Sequence, residues 1–144
     1  MKFDFRLAKE EEVLQISVLM KQVYLESYAI EGVTKLFADF ITEQFSIEKI
    51  TAEMKSENHE FLVATCNENP VGVLKMSFGK KCPLANAKFP EVNKLYLMKR
   101  FSGQGIGKRL MQTGEQSLKT KGYEEVWLEV WTKNEGATAF YKKN

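Results

Sequence analysis

The run Leu95-Tyr96-Leu97-Met98-Lys99-Arg100-Phe101-Ser102-Gly103-Gln104-Gly105-Ile106-Gly107-Lys108 sets glycines at alternate positions between a strand-like segment and a helical pattern. Glycine lets backbone approach a ligand closely and adopt dihedrals other residues avoid, so successive N–H groups can converge on an anion. A helix that starts here adds unsatisfied donors and a partial positive charge. Lys108 and Arg109 oppose the macrodipole in its first turn, a conflict that a bound anion resolves. The implied chemistry is the holding of a phosphate. Two nucleotide motifs do not fit. A P-loop needs Gly-x4-Gly-Lys-Ser/Thr, whereas Arg109 follows Gly107-Lys108. A dinucleotide fingerprint needs Gly-x-Gly-x-x-Gly early in a βαβ unit, whereas Gly103, Gly105 and Gly107 alternate late in the chain.

Other reactive side chains form no competing constellation. His59, the single histidine, stands in the polar run Ser56-Glu57-Asn58-His59-Glu60 and reads as a surface residue. Cys66 and Cys82 lack metal-ligand spacing and the surroundings of an activated thiolate, so they read as ordinary buried or loop cysteines. No metal site is expected. Lys80-Lys81 and Lys142-Lys143 are too short for a nucleic-acid segment.

The elements that must position the loop follow from periodicity. Phe3–Leu7 alternates apolar and polar residues as a strand does. From Glu10 to about Tyr28, Val13, Ile16, Met20 and Val23 recur at helical spacing behind an acidic start. Leu36, Phe37, Phe40, Ile41 and Phe45 suggest a second short helix or a partly ordered flap, and Ser46 gives a capping signal for a helix to about Lys55. Strands are expected at Phe61–Cys66, Val71–Phe78, Glu91 to about Met98 and Val126–Trp131, with a helix from near Gly105 to about Lys121. Asn134 can cap a last helix through Tyr141, with Ala137, Phe140 and Tyr141 at helical spacing. The order β-α-α-β-β-β-α-β-α gives an α/β (α+β) fold, a mixed sheet with helices on both faces.

Length and composition bound the rest. The 144 residues show no repeat or linker and make a single domain, 1–144. A 44% hydrophobic content supports a core and excludes disorder. The net charge of +2 is too small for nucleic-acid binding by bulk electrostatics. No apolar run approaches the ~20 residues of a membrane span, and the amino terminus lacks a secretory signal, so a cytoplasmic domain is expected.

The loop, with Asn134-Glu135-Gly136-Ala137-Thr138-Ala139-Phe140-Tyr141-Lys142-Lys143, resembles the GCN5-related N-acetyltransferase (GNAT) superfamily. Its loop signature is Arg/Gln-x-x-Gly-x-Gly/Ala, and its later helix reads Asn-x-x-Ala-x-x-Phe-Tyr. The two segments are separated by a helix and a strand, as that family requires. Trp127-Leu128-Glu129-Val130-Trp131 and Phe140-Tyr141-Lys142-Lys143 are similar to the wording of bacterial polyamine (spermidine/spermine) acetyltransferases.

The resemblance implies a mostly antiparallel GNAT-like sheet, acetyl-CoA as cosubstrate and direct attack by a primary amine, with a small amine such as a polyamine as acceptor. The alternatives are a peptide or protein amine, or a non-catalytic acyl-CoA sensor; a narrow acidic pocket favours polyamines and an open groove peptides. The resemblance puts pantetheine along Leu95, Tyr96 and Leu97, with the Leu97 N–H polarising the thioester carbonyl. It puts the diphosphate on the amides of Gly103, Gln104, Gly105, Ile106, Gly107 and Lys108. Asn134 would contact the cosubstrate or cap its helix. Tyr141 matches the general acid that protonates the departing thiolate, with packing beside Phe140 as its bland alternative. Glu91 and Glu129 are the candidate bases, directly or through water, and Glu26 could attract a cationic substrate. Two positions depart from the pattern: Ser102 replaces Arg/Gln, leaving formal charge to Arg100, Lys108 and Arg109, and Asn93 stands where many relatives carry Glu. Against that family the chain reads as C-terminally short, its last strands apparently missing. The Val126–Trp131 strand would then be an exposed edge needing a partner, which allows a homodimer.

Overall fold

The computed structural model describes residues 1–78, 81–82, 87–88, 91–122, 125–132 and 135–142, with side chains described for 1–78 and 94–122. Strand β1 (Phe3–Leu7) leads through a short 3-10 turn at Glu10–Glu12 into helix α1 (Val13–Tyr28), followed by α2 (Lys35–Gln44) and α3 (Ile47–Lys55). Thr34 and Ser46 cap α2 and α3, their hydroxyls accepting from the N–H groups of Phe37 and Lys49 at 3.1 Å each. Then come β2 (His59–Cys66), β3 (Asn69–Ser77), the two-residue strands β4 (Lys81–Cys82) and β5 (Ala87–Lys88), and β6 (Glu91–Leu97). A 3-10 turn at Lys99–Phe101 precedes α4 (Ile106–Thr120), β7 (Glu125–Thr132) and β8 (Glu135–Lys142). No helix among the described residues is long and apolar enough to cross a membrane.

The main sheet runs β1-β2-β3-β6-β7-β8; every neighbouring pair is antiparallel except β6 with β7, which is parallel. Alternation in the central strands divides the core between two faces. Leu62, Leu74 and Met76 meet Ile106, Leu110 and Leu118 of α4 on one face. Phe61, Val63, Val73 and Tyr96 meet Ile16, Met20 and Ile50 of α1 and α3 on the other. The chain entry to α1 is fixed by Arg6, whose Nη1 and Nη2 donate to the two Glu12 carboxylate oxygens at 2.9 and 2.8 Å. Those bonds hold the buried Glu12 carboxyl below its ordinary range.

Three expectations change. Residues Glu135–Lys142 form a strand rather than a helix, paired residue for residue with β7 from Thr132↔Glu135 to Glu125↔Lys142. Ala137 and Phe140 do fall at helical spacing, but β7 carries a second edge of backbone donors and acceptors, and pairing it outweighs local periodicity. The same strand covers the edge of β7 that was expected to stand open. His59 opens β2 instead of occupying a surface turn, with Nε2 3.5 Å from Glu53 Oε2.

Gly114 sets the distance between α4 and the sheet. A Cβ there would lie 2.6 Å from Leu74 Cδ2 and 3.5 Å from Met76 Sδ, both fully buried. Gly114→Val is therefore expected to destabilise the fold by about 1–3 kcal/mol through overpacking, with Gly114→Ala closer to neutral because better helix propensity offsets part of the clash. Urea unfolding of both variants checks the ordering.

Candidate active site

Among the described residues, strand β6 pairs with β7 at Glu91↔Trp127 and Val92↔Leu128. Beyond Val92, no pairing between the two strands continues among the described residues, although β6 runs to Leu97 and β7 to Thr132. On its other side β6 stays in register with β3, through Leu95↔Leu74, Tyr96↔Val73 and Leu97↔Gly72. The Met98 N–H donates to the Val71 carbonyl at 3.0 Å. Antiparallel ladders alternate hydrogen-bonded and non-hydrogen-bonded pairs, so Tyr96 also turns its peptide groups toward β3. Leu95 and Leu97 turn theirs the other way, into the gap that opens toward β7.

The glycine loop follows at the C-terminal end of β6. Gly103 and Gly105 both have φ +79°, with no heavy atom within 4 Å of where a Cβ would stand. Gly105 is the N-cap of α4, and the helix's first backbone bond runs from the Arg109 N–H to the Gly105 carbonyl at 3.0 Å. The N–H groups of Ile106, Gly107 and Lys108 therefore lie ahead of the intrahelical ladder. Gly107 serves differently. Its φ is ordinary, and a Cβ would sit 3.2 Å from Leu95 Cδ2, so its bareness seats the first turn of α4 directly on β6. Gly72 does the same from β3, where a Cβ would lie 3.2 Å from Leu97 Cδ1 and from the Tyr96 carbonyl. The two glycines bring the free amides of α4 beside those of β6.

The expected residues fall around this junction unevenly. Gly103, Gln104, Gly105, Ile106, Gly107 and Lys108 line the loop and first turn, with Ile106 buried beneath and Gln104 and Lys108 exposed. Ser102 folds back, its Oγ donating to the Lys99 carbonyl at 2.7 Å. Arg109 does not serve the loop, for its guanidinium lies over the Phe5 ring, 4.2 Å from the centroid, on the β1 side of α4. Tyr96 is buried, and burial pushes its phenol well above the ordinary range. Glu91 stands where β6 still pairs on both sides, opposite Ser77 and Trp127. Glu129 is opposite Thr138, one residue past the last β6–β7 pair. Tyr141 is on β8 opposite Val126, and Asn134 lies outside the described residues. Glu26 is exposed and accepts from Gln22 Nε2 at 2.6 Å. Among the described residues no group of His, Cys, Asp or Glu could hold a metal ion.

One feature of the site went unread in the sequence. On the face of β6 opposite α4, Lys94 Nζ lies 4.0 Å from the Tyr28 ring centroid, 4.4 Å from that of Tyr24 and 5.7 Å from that of Tyr96. Burial, with no carboxylate paired to it among the described residues, pushes the Lys94 ammonium down to about 8. Tyr24 and Tyr28 stand four apart on α1, and Lys94 and Tyr96 two apart on β6, so the signal existed as two periodicities. Their convergence required the tertiary fold. Because Lys94 is harder to protonate folded than unfolded, stability is expected to rise with pH from about 8 toward the ~10.4 of a free lysine. Lys94→Met should flatten that rise and lift the melting temperature at pH 7, as thermal unfolding across pH 7–10.5 would show.

The sequence pattern of the acetyltransferase (GNAT) family matches residues 23–144. An uncharacterized N-acetyltransferase of the pepI 3′ region of Lactobacillus delbrueckii subsp. lactis is 21% identical over 133 residues, 92% of this chain and 77% of that protein. The crystal structure of the PaiA N-acetyltransferase of Thermoplasma acidophilum in complex with coenzyme A superposes with a TM-score of 0.79, at 22% identity, over 94% of this chain and 83% of that one. An aminoglycoside acetyltransferase, meta-AAC0020, from an uncultured soil metagenomic sample superposes at 0.66 with 17% identity, over 90% and 78%.

Proposed function

Because the chain belongs to the acetyltransferase (GNAT) family, we propose that it transfers the acetyl group of acetyl-CoA to the primary amine of a small molecule by direct attack. The observation that carries this reading is the edge of β6 released from β7 beside an open amide cradle. The residues present fit the cosubstrate. Gly103 and Gly105 leave room for a diphosphate over the first amides of α4, and the Leu95 and Leu97 edge suits an extended amide chain such as pantetheine. Acetyl-CoA supplies an activated acyl group; the rest of the chemistry is the protein's.

In this reading the Leu97 N–H, held rigidly by the β3–β6 ladder, donates to the carbonyl oxygen on which negative charge develops. The incoming amine, whose pKa is ~10.4 by analogy with lysine, gives up a proton to Glu91 or Glu129, directly or through water. The resemblance makes Tyr141 the candidate acid for the departing sulfur, a role its place on β8 opposite Val126, beyond the Glu91 end of β6, does not itself supply. Arg100 and Lys108, both exposed near the loop, supply the formal charge that Ser102 does not. A polyamine as that small molecule is favoured by the wording of the sequence around Trp127 and Phe140 alone, with nothing in the geometry of the described residues beside it.

Two measurements test these assignments. Gly105→Val should weaken CoA binding at least tenfold while the protein stays folded. Its side chain would enter the ligand's space rather than the protein's, although the positive φ carries a strain of about 1–3 kcal/mol for a β-branched residue. Unchanged affinity would move the diphosphate elsewhere. For catalysis, Tyr141→Phe should lower kcat for thiol release by about 10²–10⁴ with little change in the KM for acetyl-CoA. An undiminished kcat would assign the acid to another group.

A further inference from the structure

The α1–α2 face of β6 is built of aromatic rings around one ammonium. Tyr24 contacts Tyr28, Phe40 and Phe45 at centroid distances of 4.6, 5.2 and 5.5 Å, and Phe45 meets Tyr96 at 5.8 Å. A cavity of about 340 Å³ adjoins this cluster, bounded by Tyr28, Ile30, Glu31 and Phe37 among others. Ile30, Val33 and Leu36 of the α1–α2 connection and the start of α2 are 71%, 62% and 81% exposed, an apolar rim with no partner described. The loop and first turn of α4 lie on the opposite face of the sheet, so a molecule meeting the Leu97 amide from the far side passes this aromatic lobe.

We infer that the acceptor is a monoamine borne on an aromatic or apolar body, and that Lys94 excludes polycations by filling the tyrosine cage with the protein's own cation. This rests on the acetyl-transfer reading. Three facing tyrosines form the natural seat for an ammonium, because each ring face carries negative potential. Here the seat is taken. A polyamine's second ammonium would have to displace Lys94 or lie against it, and among the described residues Glu31 is the single carboxylate of the adjoining cavity. One carboxylate suits one ammonium. At neutral pH Lys94 is still mostly charged, so the repulsion persists under ordinary conditions. The exposed Ile30, Val33 and Leu36 meanwhile give an apolar body something to cover.

The test is thiol release from acetyl-CoA with 2-phenylethylamine and with spermidine at matched ionic strength, in the parent protein, Lys94→Met and Lys94→Arg. The parent is expected to show kcat/KM at least tenfold higher for 2-phenylethylamine. Lys94→Met should shift the ratio at least tenfold toward spermidine, through the spermidine KM, whereas Lys94→Arg, keeping charge and stacking, should hold the parent's ratio. A parent that prefers spermidine overturns the inference whether or not the variants fold, as does a ratio that Lys94→Met leaves unmoved. If neither amine releases thiol while CoA still raises the melting temperature, the acetyl-transfer reading falls and this inference with it.

Discussion

Strand β6 is asked to be an interior strand on one side and an edge strand on the other. Against β3 it is paired along nearly its whole length; against β7, among the described residues, it is paired at Glu91 and Val92 only. Buried peptide groups must find partners, and sheets ordinarily supply them along the full ladder. Here the ladder to β3 fixes Leu95 and Leu97 rigidly while leaving their outward N–H and C=O groups to something outside the sheet. An edge held by β7 at its Glu91 end and covered by the first turn of α4 near Leu95 is less open to a neighbouring chain than an outer edge. It can accept a narrow extended ligand. The remaining features of the site follow from keeping that strand stiff and one edge of it free.

The glycines show how closely the neighbours are drawn in. Gly107 and Gly72 hold α4 and β3 against the leucines of β6, and Gly103 and Gly105 shape the loop between strand and helix. Packing and dihedral demands thus divide among residues that look alike in the sequence. The sheet then separates two environments, helix-terminal amides on the α4 face and an aromatic lobe with one desolvated lysine on the α1 face. Such a partition suits the proposed two-substrate reaction, in which donor and acceptor would approach the same amides from different sides.

Much of this was legible in the sequence. Alternation gave the central strands to within a few residues, and the alternate glycines marked the turn from strand to helix at which Gly105 caps α4. Four things were not legible. Gly107 looks like a cradle glycine, and only its 3.2 Å approach to Leu95 shows that it is a packing glycine. Arg109 looks like phosphate charge, yet helical phase carries it to Phe5. Residues Glu135–Lys142 satisfy a helical period, but the demand of β7 for a partner is non-local and no window of residues reveals it. The tyrosine cage belongs to the same class, since Tyr24 and Lys94 are far apart in sequence and meet only when α1 packs on β6.

The central claim is that the outward amides of β6 are kept free for the cosubstrate. Backbone hydrogen exchange, followed residue by residue with and without CoA, addresses it most directly. The account predicts ready exchange at Leu95 and Leu97, strong protection at Tyr96 and Met98, and a gain of protection on adding CoA at Leu97 and from Gly103 to Lys108. Protection of Leu97 without CoA, or a loop and strand that CoA leaves unchanged, would contradict it.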